Sequence, residues 1–272
     1  MNSFRMACKK KFIVKELMRT IWCMLFFLAA YCHAEHEVKL LVFVIANDDE
    51  PIYVELQKIW RAYMHLDPEH VDAYFIKADP YLEAEYKIDG DTIWSRTEES
   101  LFPGILNKTL LSLEAMKDRL EEYDYFLRTN LSSFYVFPRL LHTLSFLPKH
   151  RFCFSFGIPH FQPMIISGAG YILSQDVVKM ILENKHRLMN VQEFDDVVLG
   201  RFLNNKMIQL TRHNRTDLLT IKDFVQKKEK LIHSNCFQFR VKNPTHELRL
   251  NHDTFIHREL LKTFYQQNKQ EN

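Results

Sequence analysis

Two neighbouring carboxylates, Asp195 and Asp196, open the stretch Asp-Asp-Val-Val-Leu-Gly200. Adjacent acids raise one another's proton affinity, which suits one of them to act as a base; the same pair also suits the N-terminus of a helix running to Lys206. A second pair, Asp48-Asp49, follows an apolar run and is either a ligand contact or a solvated turn. Gly168 and Gly170 flank Ala169 and either let backbone approach a ligand closely or relieve a tightly packed bulge. Arg240 and Lys242 alternate in Cys236-Phe-Gln-Phe-Arg-Val-Lys-Asn243. On a strand they point the same way, as a cation pair for an anion or as solvated charges.

Spacing excludes several other chemistries. Gly168-Ala-Gly170 lacks a third glycine, so it is no dinucleotide fingerprint. There is no phosphate-cradling GxxxxGK loop, no GxSxG elbow and no HExxH pair. The 13 histidines are scattered, with His252 and His257 five apart and off a common helical face, so no zinc cluster is expected. Of 36 Lys/Arg and 34 Asp/Glu, six and one fall in the first 34 residues, which leaves 30 against 33 in the body. A body of that balance is not a nucleic-acid-coating surface.

These residues need elements to position them. Residues 39–46, Lys-Leu-Leu-Val-Phe-Val-Ile-Ala, are a continuous apolar run, the mark of a strand covered on both faces. Helical periodicity over 54–66 is stopped by Asp67-Pro68. Strands are expected over 71–77, 92–95 and 123–129, and helices over 104–122 and 137–147. Strands at 151–156 and 164–173 flank a loop at 157–163, with Tyr171 in the core. Ser174 is placed to N-cap the next helix. A further helix starts near Asp195, a strand covers 207–210, and 253–267 closes the chain. This alternation predicts an α/β fold, a single domain over 35–272 whose mixed central sheet is flanked by helices.

Residues 1–34 read as a targeting segment. Six basic residues from Arg5 to Arg19 accompany an apolar run at 21–30, and Cys32 and Ala34 place small residues before a cleavage point. The run is shorter than the ~20 residues of a spanning helix, so the segment is either a cleaved signal peptide or a retained signal-anchor. Export into the secretory pathway is expected, with membrane association only through this segment. Cleavage leaves Cys153 and Cys236, either as one disulfide or as two thiols.

Four stretches then occur in a set order: Glu98-Glu-Ser-Leu-Phe-Pro-Gly-Ile-Leu-Asn-Lys-Thr109, Asp124-Tyr-Phe-Leu-Arg-Thr-Asn-Leu-Ser-Ser-Phe-Tyr-Val-Phe-Pro-Arg-Leu-Leu141, Gln162-Pro-Met-Ile-Ile-Ser-Gly-Ala-Gly-Tyr-Ile-Leu-Ser174 and Glu193-Phe-Asp-Asp-Val-Val-Leu-Gly200. The ordered set resembles the β-1,3-galactosyltransferase and fringe family of glycosyltransferases over residues 39–207. The resemblance implies a GT-A, nucleotide-diphospho-sugar transferase fold. It also implies inverting transfer of a sugar from a nucleotide-sugar donor to a glycan or glycoprotein hydroxyl, a hexosyltransferase-like activity. Asp196 matches the family's Asp in Glu-Asp-Val and is the implied base, with Asp195 where the family has Glu. Asp48, Asp49, Lys108, Gly168 and Gly170 are the implied donor contacts.

The chain departs from that family where an Asp-x-Asp motif holds Mn²⁺ or Mg²⁺, because here the residues are Asn130-Leu131-Ser132. An amide and a hydroxyl replace carboxylates poorly around a hard cation. Either the enzyme works without a metal cofactor, or catalysis is lost and the domain is a carbohydrate-binding or interaction module. Metal-free transfer needs other positive charge on the diphosphate. Arg128, Asn130, Ser132, His233, Arg240 and Lys242 complete the expected donor site, an arginine serving by bidentate hydrogen bonds. Asn107, Asn130 and Asn214 each begin an N-glycosylation pattern, and only Asn214 is expected at the surface.

Overall fold

The computed structural model describes residues 37–156 and 166–266. The apolar run expected as a doubly covered strand is β1, Leu40–Ile45. Leu40, Val42 and Val44 enter one hydrophobic core and Leu41 and Phe43 the other, as a two-residue side-chain period requires. The remaining strands are β2 (Val71–Ala78), β3 (Tyr86–Asp89), β4 (Thr92–Ser95), β5 (Tyr125–Asn130), β6 (Ser133–Tyr135), β7 (Phe152–Ser155), β8 (Gly170–Ser174), β9 (Gln209–Arg212), β10 (Thr216–Leu218) and β11 (Gln238–Val241). Eight of them form one sheet in the order β3-β4-β2-β1-β5-β8-β7-β9, and β10-β11-β6 form a second. β1 is parallel to both β2 and β5, whereas β8 is antiparallel to β5, so the large sheet is mixed.

Helices cover both faces of the large sheet. They are α1 (Pro51–Arg61), α2 (Gly104–Ala115), α3 (Phe137–Leu144), α4 (Gln175–Glu183), α5 (Lys185–Leu188), α6 (Asp195–Asn205), α7 (Ile221–Ile232) and α8 (Arg249–Leu261). Leu56 and Trp60 of α1 and Ile256 of α8 share one core with Leu40 and Val42. Leu110 of α2, Val177 of α4 and Leu199 of α6 share the other with Leu41 and Phe43. Each such side chain contributes roughly 1.5–3 kcal/mol when taken fully out of water. The mixed α/β architecture expected from the sequence is therefore present, and the described residues from Val38 onward cluster as one unit.

The strand order positions the site. From β1 the chain proceeds to β2 and β4 on one side, then crosses to β5 on the other. Loops leaving the C-terminal ends of β1 and β5 diverge, and in open α/β sheets that switch point leaves a crevice for a ligand.

Several expected boundaries move. α1 starts at Pro51, which suits a helix's first turn, and ends at Arg61 although Tyr63 and Met64 stay buried. The expected helix over 104–122 ends at Ala115 and continues as a tighter 3₁₀ turn at Lys117–Glu122, with Met116 and Leu120 still buried. Ser174 directly precedes α4, but its hydroxyl donates to the Asp176 carboxylate instead of capping a backbone N–H. β8 begins only at Gly170, and the loop expected at 157–163 lies outside the described residues. So does the targeting segment at 1–34. Among the described residues, no helix is long and apolar enough to cross a membrane. Cys153 and Cys236 are both free thiols, which settles their pairing.

Candidate functional site

The crevice at the ends of β1 and β5 is a cleft of about 340 Å³. Ala46 and Asn47 after β1, Asn130 at the end of β5, and Leu131 and Ser132 beyond it line the cleft together with Glu99, Ser100, Lys242 and Arg249. The second sheet brings Lys242 here. β11 pairs antiparallel with β6, and Val241 N donates to Ser132 O at 2.7 Å, which docks the residue before Lys242 on the turn after β5.

Lys242 is exposed at the mouth and has no hydrogen bond or ion pair among the described residues. Partial burial, then the charges of Arg249 and Arg240, pull its ammonium below the ordinary lysine value. Arg249, at the start of α8, is buried. Its Nε donates to Asp253 Oδ2 at 2.9 Å, Nη2 reaches Ser132 Oγ at 3.5 Å, and the guanidinium lies 5.7 Å from the Tyr53 ring centre. Lys108 is wholly buried, and its Nζ donates to both Glu99 oxygens at 2.7 and 2.8 Å and to Ala46 O at 3.1 Å. Burial lowers the Lys108 pKa against the pull of Glu99. Lys108 was expected to meet the donor; the structure places it behind the cleft wall, where it ties Glu99 to the end of β1. Asp49 lines the cleft without an ion-pair partner among the described residues.

The acid pair sits beside this cleft, joined to it through Gly168. Arg128 of β5 donates from Nη1 to Gly168 O at 2.6 Å and from Nη2 to Asp195 Oδ2. Asn130 Nδ2 donates to the same Gly168 carbonyl at 3.0 Å. A Cβ built on Gly168 would lie 2.9 Å from Asp196 Oδ2, so glycine is what permits this approach. Asp195 and Arg128 are both buried and neutralise one another. Asp196, the first-turn acid left without a hydrogen-bonded cation, has its pKa raised, by burial first and by the Asp195 charge second, against opposing pulls from Arg128 and the N–H groups of Val197 and Gly168. The residue capping α6 is Phe194, not either acid.

The structure thus brings Asp49, Asn130, Ser132 and Lys242 to one cleft, with Lys108, Arg128, Gly168, Asp195 and Asp196 packed around it. Four expected residues stand elsewhere. Asp48 turns away to Lys77 and Gln57; burial would raise its carboxyl, but these hydrogen bonds outweigh burial and hold it below its ordinary value. Gly170 packs against Tyr135, whose hydroxyl would sit 2.0 Å from an added Cβ. Arg240 is part-buried behind the cleft, in register with Asp217. His233 is exposed at the end of α7. Arg249 and Glu99 were not anticipated: Arg249 pairs with Asp253 at the ordinary helix spacing of four, and nothing local links Glu99 to Lys108. Asn107 is buried and exchanges hydrogen bonds with Asn190, while Asn214 is exposed.

The residues at the Asp-x-Asp place do not fit a divalent cation. Asn130 Oδ1 accepts from Ser132 N at 3.1 Å, its Nδ2 is used on Gly168, Ser132 Oγ faces Arg249, and Glu99 is held by Lys108. A hard cation prefers several free oxygens, and among the described residues Asp49 is the cleft carboxylate left without an ion pair.

No family model matches the chain, and no curated protein matches it. The chain is similar in structure to a glycosyltransferase involved in the glycosylation of the major capsid of PBCV-1, at TM-score 0.47 and 8% identity, over 80% of this chain and 98% of that one. A likeness of that size carries no argument about activity.

Proposed function

We propose that the chain is a glycosyltransferase that moves a sugar from a nucleotide-sugar donor to a hydroxyl of a glycan or glycoprotein, with inversion and without a metal. One juxtaposition carries the reading: Asn130 touches both the cleft holding Lys242, unpaired among the described residues, and, through Gly168, the proton-seeking Asp196. Asp49 accepts hydrogen bonds from the donor's ribose. Lys242, supported by Arg249, neutralises the diphosphate. Asp196 takes the proton of the acceptor hydroxyl, whose oxygen attacks the anomeric carbon from the face opposite the diphosphate. The old glycosidic C–O bond breaks with its electron pair going to the nucleoside diphosphate, and the new bond has the opposite anomeric configuration. Export, through cleavage or retention of the N-terminal segment, belongs to the same proposal, since glycan acceptors are met in the secretory pathway.

The test is turnover in EDTA. Each nucleotide sugar is offered with a mixed glycan acceptor, release of nucleoside diphosphate is followed, and the product's anomeric signal is read by NMR. Inverted product in EDTA is expected. A retained configuration, or turnover only with Mn²⁺, contradicts the mechanism. Nucleotide binding without any turnover supports the other reading, a catalytically silent module, which the absence of two carboxylates at Asn130 and Ser132 favours.

A further inference from the structure

Across the loop 98–103 from the cleft lies a second groove of about 510 Å³, and Ser100 lines both. Its floor is polar. Asn107 Nδ2 donates to Asn190 Oδ1 at 3.0 Å and Asn190 N donates to Asn107 Oδ1 at 2.9 Å, which ties α2 to the loop preceding α6. Thr97 and Glu98 stand along its side. The same two loops each carry an aromatic ring left in water. Phe102 is 43% exposed and Phe194 48%, with ring centres 5.5 Å apart at 75°. Phe194 immediately precedes Asp195 and stands two residues from Asp196.

Edge-to-face contact pins the two loops together, but it does not require the outer faces of both rings to stay open. A pyranose has one face of C–H bonds and a rim of hydroxyls, so it matches a pair of exposed rings on the loops that supply Ser100, Pro103 and Asn190 to a groove of mixed polar and apolar lining. We propose that Phe102 and Phe194 are the acceptor platform: a pyranose of the acceptor glycan lays its C–H face on the ring pair and turns its hydroxyl rim to the groove. The platform's place in the chain, next to Asp195 and Asp196, delivers an acceptor hydroxyl to the base. This rests on the glycosyl-transfer reading and narrows its acceptor to one with a ring face free of bulky substituents.

The experiment is saturation-transfer NMR on the full chain with three probes, methyl β-D-galactopyranoside, methyl β-D-glucopyranoside and methyl α-D-mannopyranoside. Phe102→Leu and Phe194→Leu keep apolar volume in the loops while removing the ring face, and Phe194→Tyr restores it. Thermal stabilisation by a nucleoside diphosphate is recorded on every variant as a separate reading of the donor cleft. At least one glycoside should receive saturation at its C–H face, falling about 5-fold in each Leu variant and recovering in the Tyr variant, as loss of one aromatic contact implies. Nucleotide stabilisation should stay unchanged. No saturation of any probe by the unsubstituted chain, or saturation indifferent to both Leu variants, overturns the platform. Ring-dependent sugar binding on a chain that no nucleotide stabilises would instead overturn glycosyl transfer and leave the platform as a carbohydrate-binding site.

Discussion

Arg128 shares the Gly168 carbonyl with Asn130 and Lys242 shares the cleft with it, and the surroundings of these two cations differ in kind. Arg128 is almost wholly buried, with one terminal nitrogen on the Asp195 carboxylate and the other on Gly168 O. Lys242 is exposed, with no hydrogen bond or ion pair among the described residues, and the repulsion of Arg249 and Arg240 outweighs the attraction of Asp253. In the first, the charge and both terminal nitrogens are satisfied within the protein, although the buried Nε has no partner among the described residues, so no ligand anion is needed. The second is relieved by an anion, because a charge held near like charges interacts more favourably with a negative group than with water. Sequence alone lists both as basic residues near a strand end; burial and partners separate a structural cation from a ligand-binding one.

The strongest way to break this comparison is Arg128→Met. It leaves Asp195 buried without its partner, and a loss of about 3–5 kcal/mol in urea unfolding is expected. A loss under about 1 kcal/mol, the range of exposed pairs, would show that the two cations are alike after all. Asp196→Asn comes next. Transfer should fall at least about 100-fold, as for removal of a general base. The raised pKa means that folding favours the protonated carboxyl, so this group's contribution is lost as pH rises through its folded value. A neutral Asn should therefore raise the melting temperature at neutral pH and change it little in strong acid. Activity lost with stability gained marks a residue kept for chemistry; both falling together would mark a structural one.

A smaller effect sharpens the acid side. Asp196 works as a base only when deprotonated, so the acid limb of the pH–rate profile should lie above an aspartate's ordinary value. Asp195→Asn removes the neighbouring negative charge and leaves Arg128 attracting Asp196, so the limb should move to lower pH. A limb that stays in place would mean that the proton belongs to another group.

Much of this frame was legible in the chain. The run from Leu40 to Ile45 announced a strand buried on both faces, and the two-fold alternation of its side chains between two cores follows from the same letters. Several elements escaped, and β6 and β10, three residues each, are too short to show a period. β3 is solvent-exposed, so no apolar run marks it, although Asp89-Gly90 is a hairpin signal and Gly90 has φ 58°. α7 buries only Phe224 and Leu231, too few to set a period. At the site, residue types were readable and partners were not. Lys108 and Lys242 look equally available as letters, yet Glu99 occupies one and no described residue occupies the other. Such pairing depends on which loops cross the end of the sheet, and strand order decides that.

The central claim is a metal-free anion site built on Lys242. Thermal unfolding of the full chain with a panel of nucleoside diphosphates in EDTA tests it most directly, because a ligand at ~100 times its dissociation constant stabilises by about 2.7 kcal/mol. One nucleotide should stabilise the unsubstituted chain and Arg240→Ala alike. The same nucleotide should bind Lys242→Ala roughly 10-fold more weakly, the scale of a lost charged hydrogen bond. Stabilisation that appears only with Mn²⁺, or that Lys242→Ala leaves unchanged, would contradict the account.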